Sequence, residues 1–346
     1  MKRTIDFRYV IVRDGADYTT IRPVNAPVIR MKYTAKIKTS LSGEFLEPDA
    51  DVNWLTDAIR PEIIIDGVAT SLGVFLPATV TRSETETTKS VKIDAYDRCW
   101  VVRDNYTETR ISIAAGVNYI SAIETLLTTC GIYLYISTPT TATITEIRED
   151  WDIGTSYLDI INQLLSEINY HELWFDNSGY AILEPVSTPT AANIEHTLDD
   201  TNVKCLMLPQ MTAQTDAYSA PNVFIVVCSN PDKSGPMIAT AENTNPQSPL
   251  SIDRRGRQIV KFQRVNNIAS QEELQEYANR LRNNSMIRGE TIEVTTGLLP
   301  GYGVNDVTSI RYGNLFAVCL ERQWTMKLTA GGDMKHTLEK VVINLE

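Results

Sequence analysis

Apolar and polar positions alternate with a period of two from Arg3 to about Arg103. Ala35, Ile37 and Thr39 interleave with Lys36 and Lys38, and Val91, Ile93 and Ala95 with Lys92, Asp94 and Tyr96. This alternation belongs to strands that bury one face. Pro61–Ile65, the dipeptide Asp66-Gly67 and Val68–Leu76 read as a hairpin, since that dipeptide accepts the left-handed backbone of a tight turn. A helical fragment at Asn53–Ile59 is too short to change the picture. Short strands at this spacing with turns between them suggest a barrel or sandwich, and the first β-barrel domain is placed at residues 1–103.

From Asp104 the period changes. Asn118 precedes Tyr119, Ile120, Ala122, Ile123, Leu126 and Leu127, spaced as one buried helix face, and Gly131 follows as a stop. An apolar strand at Ile132–Ile136 comes next, then a Thr-rich stretch from Thr138 to Thr145. Ser156, with Asp159 three residues on, predicts the N-terminus of a second helix, along which Tyr157, Ile160, Ile161, Leu164, Leu165 and Ile168 recur. Glu172–Phe175 and Tyr180–Leu183 flank the polar Asp176–Gly179 and predict a hairpin. Helix, strand, helix and hairpin make a small two-layer α+β domain over residues 104–200.

Beyond it the β pattern returns with an interruption. Strands are expected at Lys204–Leu208 and Asn222–Cys228. Pro231–Pro249, dense in Pro, Asn, Ser and Thr, reads as a long exposed loop. Ser270–Glu273 forms a capping box ahead of a helix bearing Leu274, Tyr277, Ala278 and Leu281. Ile292 and Val294 then alternate with Glu293 and Thr295. Leu315–Arg322, Trp324–Leu328, a turn at Ala330–Gly332 and Lys335–Ile343 close the chain as a meander. The reading is an α+β chain: two antiparallel β-barrel domains flank a small two-layer domain. The second barrel (201–230 and 288–346) is split by a loop-helix insertion at 231–287.

Length and charge narrow the function. A chain of 346 residues can hold two or three domains, each with a real core. Its formal net charge of −11 argues against a phosphate-binding role, which needs clustered Lys and Arg. The five cysteines (Cys99, Cys130, Cys205, Cys228 and Cys319) are scattered and never paired as CxxC, as free, mostly buried thiols of a reducing cytoplasm would be. No signal peptide or membrane anchor is expected: Met1–Tyr9 is charged, and no window reaches the roughly 18 apolar residues a span needs.

Candidate chemistry is sparse. His171-Glu172 begins like a zinc-protease helix, but Phe175 stands where the second His is needed, so a surface-facing pair in a hairpin is expected. His196 and His336 have no spacing that builds a site with it. Gly301-Tyr302-Gly303 lacks the third glycine of a dinucleotide loop and reads as a turn before a strand. Glu146, Glu149, Asp150 and Asp152 lack calcium-loop spacing and read as a solvated loop. Asn105–Thr107 and Asn283–Ser285 match the glycosylation pattern, which carries little weight without secretion. Trp151, Trp174 and Trp324 are assigned to core or interface packing. No catalytic, cofactor-binding or metal-binding residue is assigned, and no cofactor is expected.

The order of parts resembles the baseplate hub proteins of bacteriophage tails, of the late-control-protein-D type, and the hubs of phage-like bacteriocins and contractile injection systems. Two passages carry the resemblance. One is Gly154–Ile161 with Trp174–Gly179 and Ile182–Pro185, similar to the family's helix and Asp-x-x-Gly hairpin. The other is the charged helix Ser270–Met286 followed by Leu298–Gly301, a β run, Val318 to Trp324 and the Gly331-Gly332 hairpin. One departure stands out: the Asp that commonly follows the Leu-Pro-Gly segment closely comes later here, at Asp306.

The resemblance implies a non-enzymatic homotrimer located in the virion tail or in a phage-like particle, and assembled in the bacterial host cytoplasm. Three chains with two barrels each would present six quasi-equivalent barrels to a sixfold tail tube. Implied partners are the tail tube or distal tail protein, the tape-measure protein, and a central spike or baseplate wedge proteins. Any wall-degrading activity would come from another chain. A negative lumen would let DNA pass without specific binding. Two other readings are weighed. A tail-associated cell-wall hydrolase would need paired carboxylates or a His-based metal site. A receptor- or carbohydrate-binding tail-tip protein would need exposed loop aromatics, for which Tyr302 and Tyr312 are the candidates.

Overall fold

The computed structural model describes residues 3–186, 189–202, 205–214, 220–228, 236–265, 271–287 and 290–341. The fold is β-rich α+β, and the chain divides into two compact units. The first comprises Met1–Val186, Thr296–Val304 and Arg322–Lys335; the second comprises Ser187–Thr295, Asn305–Glu321 and His336–Glu346.

In the first unit, β1 (Ile5–Arg13) lies between β2 (Ala16–Ile21) and β5 (Ala58–Ile65), and β6 (Val68–Ser71) pairs with β5. A second sheet runs β3 (Val28–Lys32), β4 (Thr39–Leu46), β8 (Lys89–Tyr96) and β7 (Leu76–Glu84), with residues 323–327 of a later strand paired to β3. All these pairings are antiparallel. The alternation along Val91, Ile93 and Ala95 works as read: all three are buried, with Lys92 between them exposed. They join Tyr9, Ile11, Ile29, Met31, Leu41, Phe45, Ile59, Ile63 and Phe75 in one apolar core. Asp66 and Gly67 both take positive φ (49° and 87°), as a two-residue hairpin loop between β5 and β6 requires.

Two expectations are corrected here. Residues 35–38 form the turn between β3 and β4, where Lys38 is buried. Alternation over so few residues cannot be told from a turn by period alone. Second, among the described residues no sheet closes into a barrel. Among the described residues the backbones of the two sheets of the first unit pair at isolated bridges, Pro23 with Phe45 and Ile59 with Phe75, while their faces share the apolar core. Phe45 and Phe75 are fully buried at those corners, where side-chain bulk stands in place of a continuous ladder.

The mixed part of the first unit follows its sequence signals closely. Helix α1 (Cys99–Asp104) precedes α2 (Tyr119–Thr129), at whose N-terminus the Asn118 side chain accepts bonds from the Ile120 and Ser121 amides. Gly131, at φ 78°, comes just after the helix end. Helix α3 (Tyr157–Glu167) starts at Ser156 as read, yet the Ser156 hydroxyl donates to the Arg103 carbonyl and does not cap its own helix. Strands β10 (Trp174–Phe175) and β11 (Ala181–Leu183) form the hairpin. Asp176 Oδ1 accepts from the Ser178 and Tyr180 amides across its turn. The predicted strand at 132–136 is β9 (Tyr135–Ser137), which pairs in parallel with β11. Ile123, Leu127, Leu158, Ile161, Leu164 and Leu165 are fully buried or nearly so in the shared core.

In the second unit, β12 (His196–Asp199), β13 (Met207–Gln214), β14 (Val223–Cys228) and β15 (Met237–Glu242) come first. Then follow α4 (Ile252–Arg255), β16 (Val260–Val265), α5 (Gln271–Ile287), β17 (Thr291–Gly297), β18 (Val307–Tyr312), β19 (Leu315–Lys327) and β20 (Asp333–Val341). One sheet has the order β15-β14-β16, with β16 parallel to β14, and carries α5 on one face through Val226, Cys228, Ala239, Ala241, Leu274 and Ala278. In the other, β19 pairs with β18, and β18 with β12 in parallel; the run β13-β17-β20-β19 continues it. Ile292 and Val294 are buried between exposed or half-buried neighbours, as their alternation implies. Strand β15 overturns the reading of 231–249 as loop. Its small and polar residues, Ala239, Thr240 and Ala241, hide a strand whose burial comes from α5 above it. The two apolar runs at 315–322 and 324–328 form one strand of 13 residues. The Ser270 capping box and residues 203–204 lie outside the described residues.

Candidate functional site

His171 and His196 are each met by a hydroxyl or a carboxylate on an element far away in sequence, and His336 by a carboxylate 15 residues back, on the preceding strand. In the first unit, His171 sits half-buried where β10 is about to begin, with the Tyr33 hydroxyl 3.4 Å from its Nδ1. Burial, with the Arg322 and Lys38 charges nearby, pushes its pKa down to about 4. Glu172 is exposed, but its Oε2 accepts from the buried Lys38 ammonium at 2.6 Å; Lys38 also donates to the Tyr33 carbonyl. The Arg322 guanidinium lies 4.4 Å from the centre of the Tyr33 ring. The surface-facing His-Glu pair expected from the sequence is thus corrected. It is a polar fastening between the β3–β4 turn and the hairpin domain, invisible locally because Lys38 is 134 residues from Glu172.

The acidic stretch near 150 holds a second fastening. Arg148, almost buried, donates to both carboxylate oxygens of Glu167 and to Asp150, and its guanidinium lies 5.2 Å from the Trp151 ring centre. Glu146 and Glu149 are exposed and Asp152 contributes its backbone carbonyl, to the Thr155 and Thr107 hydroxyls. Trp151 and Trp324 are core residues, and Trp324 donates its indole N–H to the Gly303 carbonyl. Tyr302, read as a loop aromatic open to a ligand, is instead buried at 2% exposure. The turn around Gly301 folds it inward, and flanking glycines do not reveal that direction.

In the second unit two histidine–carboxylate pairs lie together on one sheet. His196 Nε2 lies 2.9 Å from Asp306 Oδ2, and Glu195 brings a third donor atom, all three within 4.8 Å of one another. Beside them, His336 Nδ1 lies 2.7 Å from Glu321 Oε2, with both side chains fully buried. Burial, aided by the neighbouring His196, pushes His336 down to about 3, so this contact is a hydrogen bond of a neutral imidazole. The sequence found no common spacing for His196 and His336. Backbone pairing brings them together, through Glu321 N–H donating to the Asp306 carbonyl.

Two surfaces are open. On the face of the β15-β14-β16 sheet opposite α5, Ile238, Val260 and Phe262 are each more than half exposed. Elsewhere in the unit a groove of about 420 Å³ is lined by Thr197, Asp199, Ser309, Arg311 and Phe316. Of the five cysteines, four are buried and Cys205 is half-buried, and all are free. Among the described residues no helix is long and apolar enough to cross a membrane.

No protein-family model and none of the curated proteins matches the sequence. Solved structures do. A tail protein from Neisseria meningitidis MC58 superposes with a TM-score of 0.69 at 12% identity, covering 96% of each chain. The prophage MuSo2 43 kDa tail protein from Shewanella oneidensis gives 0.69 at 12% identity, over 97% of this chain and 98% of that one. An Escherichia coli component of the type VI secretion system, described as similar to T4 bacteriophage tail proteins, gives 0.53 at 10% identity, over 99% and 77%. The chain has the fold of these phage tail proteins along nearly its whole length. The resemblance read from Gly154–Pro185 and from the C-terminal meander holds at the level of the fold.

Proposed function

We propose that this chain is a structural hub of a phage tail or phage-like particle: a homotrimeric adaptor that joins a sixfold tail tube to a central spike or tip and lines the channel. The observation that carries the reading is the likeness in fold to tail proteins over 96% and 97% of the chain. The four-part division at 103, 200, 230 and 287 is carried forward as the modular plan of such a hub. Two β modules per chain are its symmetry device. Tube or distal tail protein, tape-measure protein and spike or wedge proteins are its partners, and the virion tail is its location. The work is done by shape, without bond-breaking, and a net charge of −11 is compatible with a channel that passes DNA without holding it.

The deciding experiment deletes the chain in a producing strain and images the particles by electron microscopy. The reading requires tails without a baseplate or no tails at all, restored by the chain supplied in trans, with three copies per particle by quantitative mass spectrometry. Complete tails that only fail to adsorb to cells would overturn it in favour of a receptor-binding role. Complete tails that adsorb but fail to penetrate the wall would overturn it in favour of a lysin.

A further inference from the structure

We propose that Glu195, His196 and Asp306, with the Thr308 hydroxyl beside them, form a binding site for a first-row divalent transition cation such as Zn2+. The inference is independent of the hub reading.

Strand register builds the site. His196 pairs with Thr308 across the parallel β12–β18 ladder, so the two side chains share a face. Asp306, two residues before Thr308, is on that same face, and its carboxylate already lies 2.9 Å from the His196 ring. Cys319 pairs with Thr308 from the other side and is fully buried, which closes the floor. On the opposite face Val307, Val318, Leu320 and Val341 pack in an apolar cluster beside the Ser309–Thr197 hydroxyl pair. Thr308 is fully buried, and its hydroxyl has no hydrogen-bond partner among the described residues. A buried hydroxyl without a partner has lost its hydration with nothing in exchange, and such a group calls for an explanation. A cation with its coordinated water on this face supplies one.

The geometry suits an ion with short bonds. Donors bound to one zinc at about 2.1 Å lie no more than about 4.2 Å apart. The His196–Asp306 distance meets that now, all three donor atoms lie within 4.8 Å of one another, and Glu195 is exposed and can adjust. One imidazole and two carboxylates, with no thiolate, favour zinc, cobalt or manganese over calcium, which prefers six or more oxygens. Bound there, the ion would staple the edge strand β12 to β18, which is 110 residues away in sequence.

The test uses the full chain, stripped with chelator, in titration calorimetry with Zn2+. It is run on a Cys205→Ala background to remove the one thiol that is not buried. One ion per chain is expected, with a rise in Tm on loading, and no competition from millimolar Ca2+. His196→Gln should weaken binding at least about tenfold, as should Glu195→Gln, whose exposed position keeps the fold intact. Thr308→Val should weaken zinc binding while raising the Tm of the metal-free chain, a combination a merely structural threonine does not give. Absence of saturable zinc binding would overturn the proposal. So would a zinc affinity in the Glu195→Gln and His196→Gln chains unchanged from that of the parent chain, or thiolate charge-transfer absorption with Co2+.

Discussion

The first unit and the second solve the problem of a β interior in opposite ways. Around Phe45 and Ile59, sheet faces meet through Val, Ile, Leu, Met and aromatic side chains, and buried charges are met one at a time by separate partners, as Asp57 is by Arg13. In the second unit, His336, Glu321, Thr308 and Cys319 are all fully buried together on one sheet. Apolar burial is non-directional and tolerates small shifts. A buried polar layer works only when each group meets its partner, so it fixes register more strictly at a cost in raw stability. The two units should therefore fail differently when perturbed.

The largest effect is expected in the apolar unit. Phe45→Ala removes a fully buried ring at a sheet corner and should cost about 3–5 kcal/mol, read as a lowered denaturation midpoint. In the second unit, Glu321→Ala leaves the neutral His336 ring buried without its carboxyl partner and should cost about 1–3 kcal/mol. There the comparison can be sharpened, because the double change Glu321→Leu with His336→Leu should recover most of that loss. A double variant as unstable as the single one would show that the layer works by packing, as in the first unit.

His171 offers a third probe, by pH. Its folded pKa of about 4 lies below the ordinary 6.5, so between these values the unfolded chain binds the proton and the folded chain does not. Stability from this group is complete above pH 6.5 and is lost as pH falls toward 4, by about 3 kcal/mol in all. Urea denaturation across that window should show the slope, and His171→Gln should flatten it. The smallest effect is at the helix start: Asn118→Ala should cost about 1 kcal/mol through loss of the cap to the Ile120 and Ser121 amides.

What could be read beforehand was whatever depends on near neighbours. The helix at Tyr119–Thr129 shows in its Asn118 cap and its spacing, and the hairpin at 174–183 in its Asp176–Gly179 turn. Strand β15 was missed because Ala and Thr carry no periodic signal until α5 covers them. Tyr302 was misjudged because its burial depends on side chains such as Trp324 and Met326, which are distant in sequence. The candidate metal site was illegible for the same reason. Glu195 and His196 are adjacent in the chain, but Asp306 and Thr308 reach them only through the β12–β18 pairing.

By itself, then, the sequence determined the β-rich α+β character, the order of elements in the mixed domain, and the likeness to tail hub proteins. These rest on periodicity, caps and turn residues, all set within a few positions of one another. Only the tertiary structure decided that the sheets stay open, that Lys38 and Glu172 lock the hairpin to the β3–β4 turn, and that His196 meets Asp306 while His336 meets Glu321 in the second unit. Those outcomes depend on strand pairing between distant segments, whose register is chosen by the whole buried face at once.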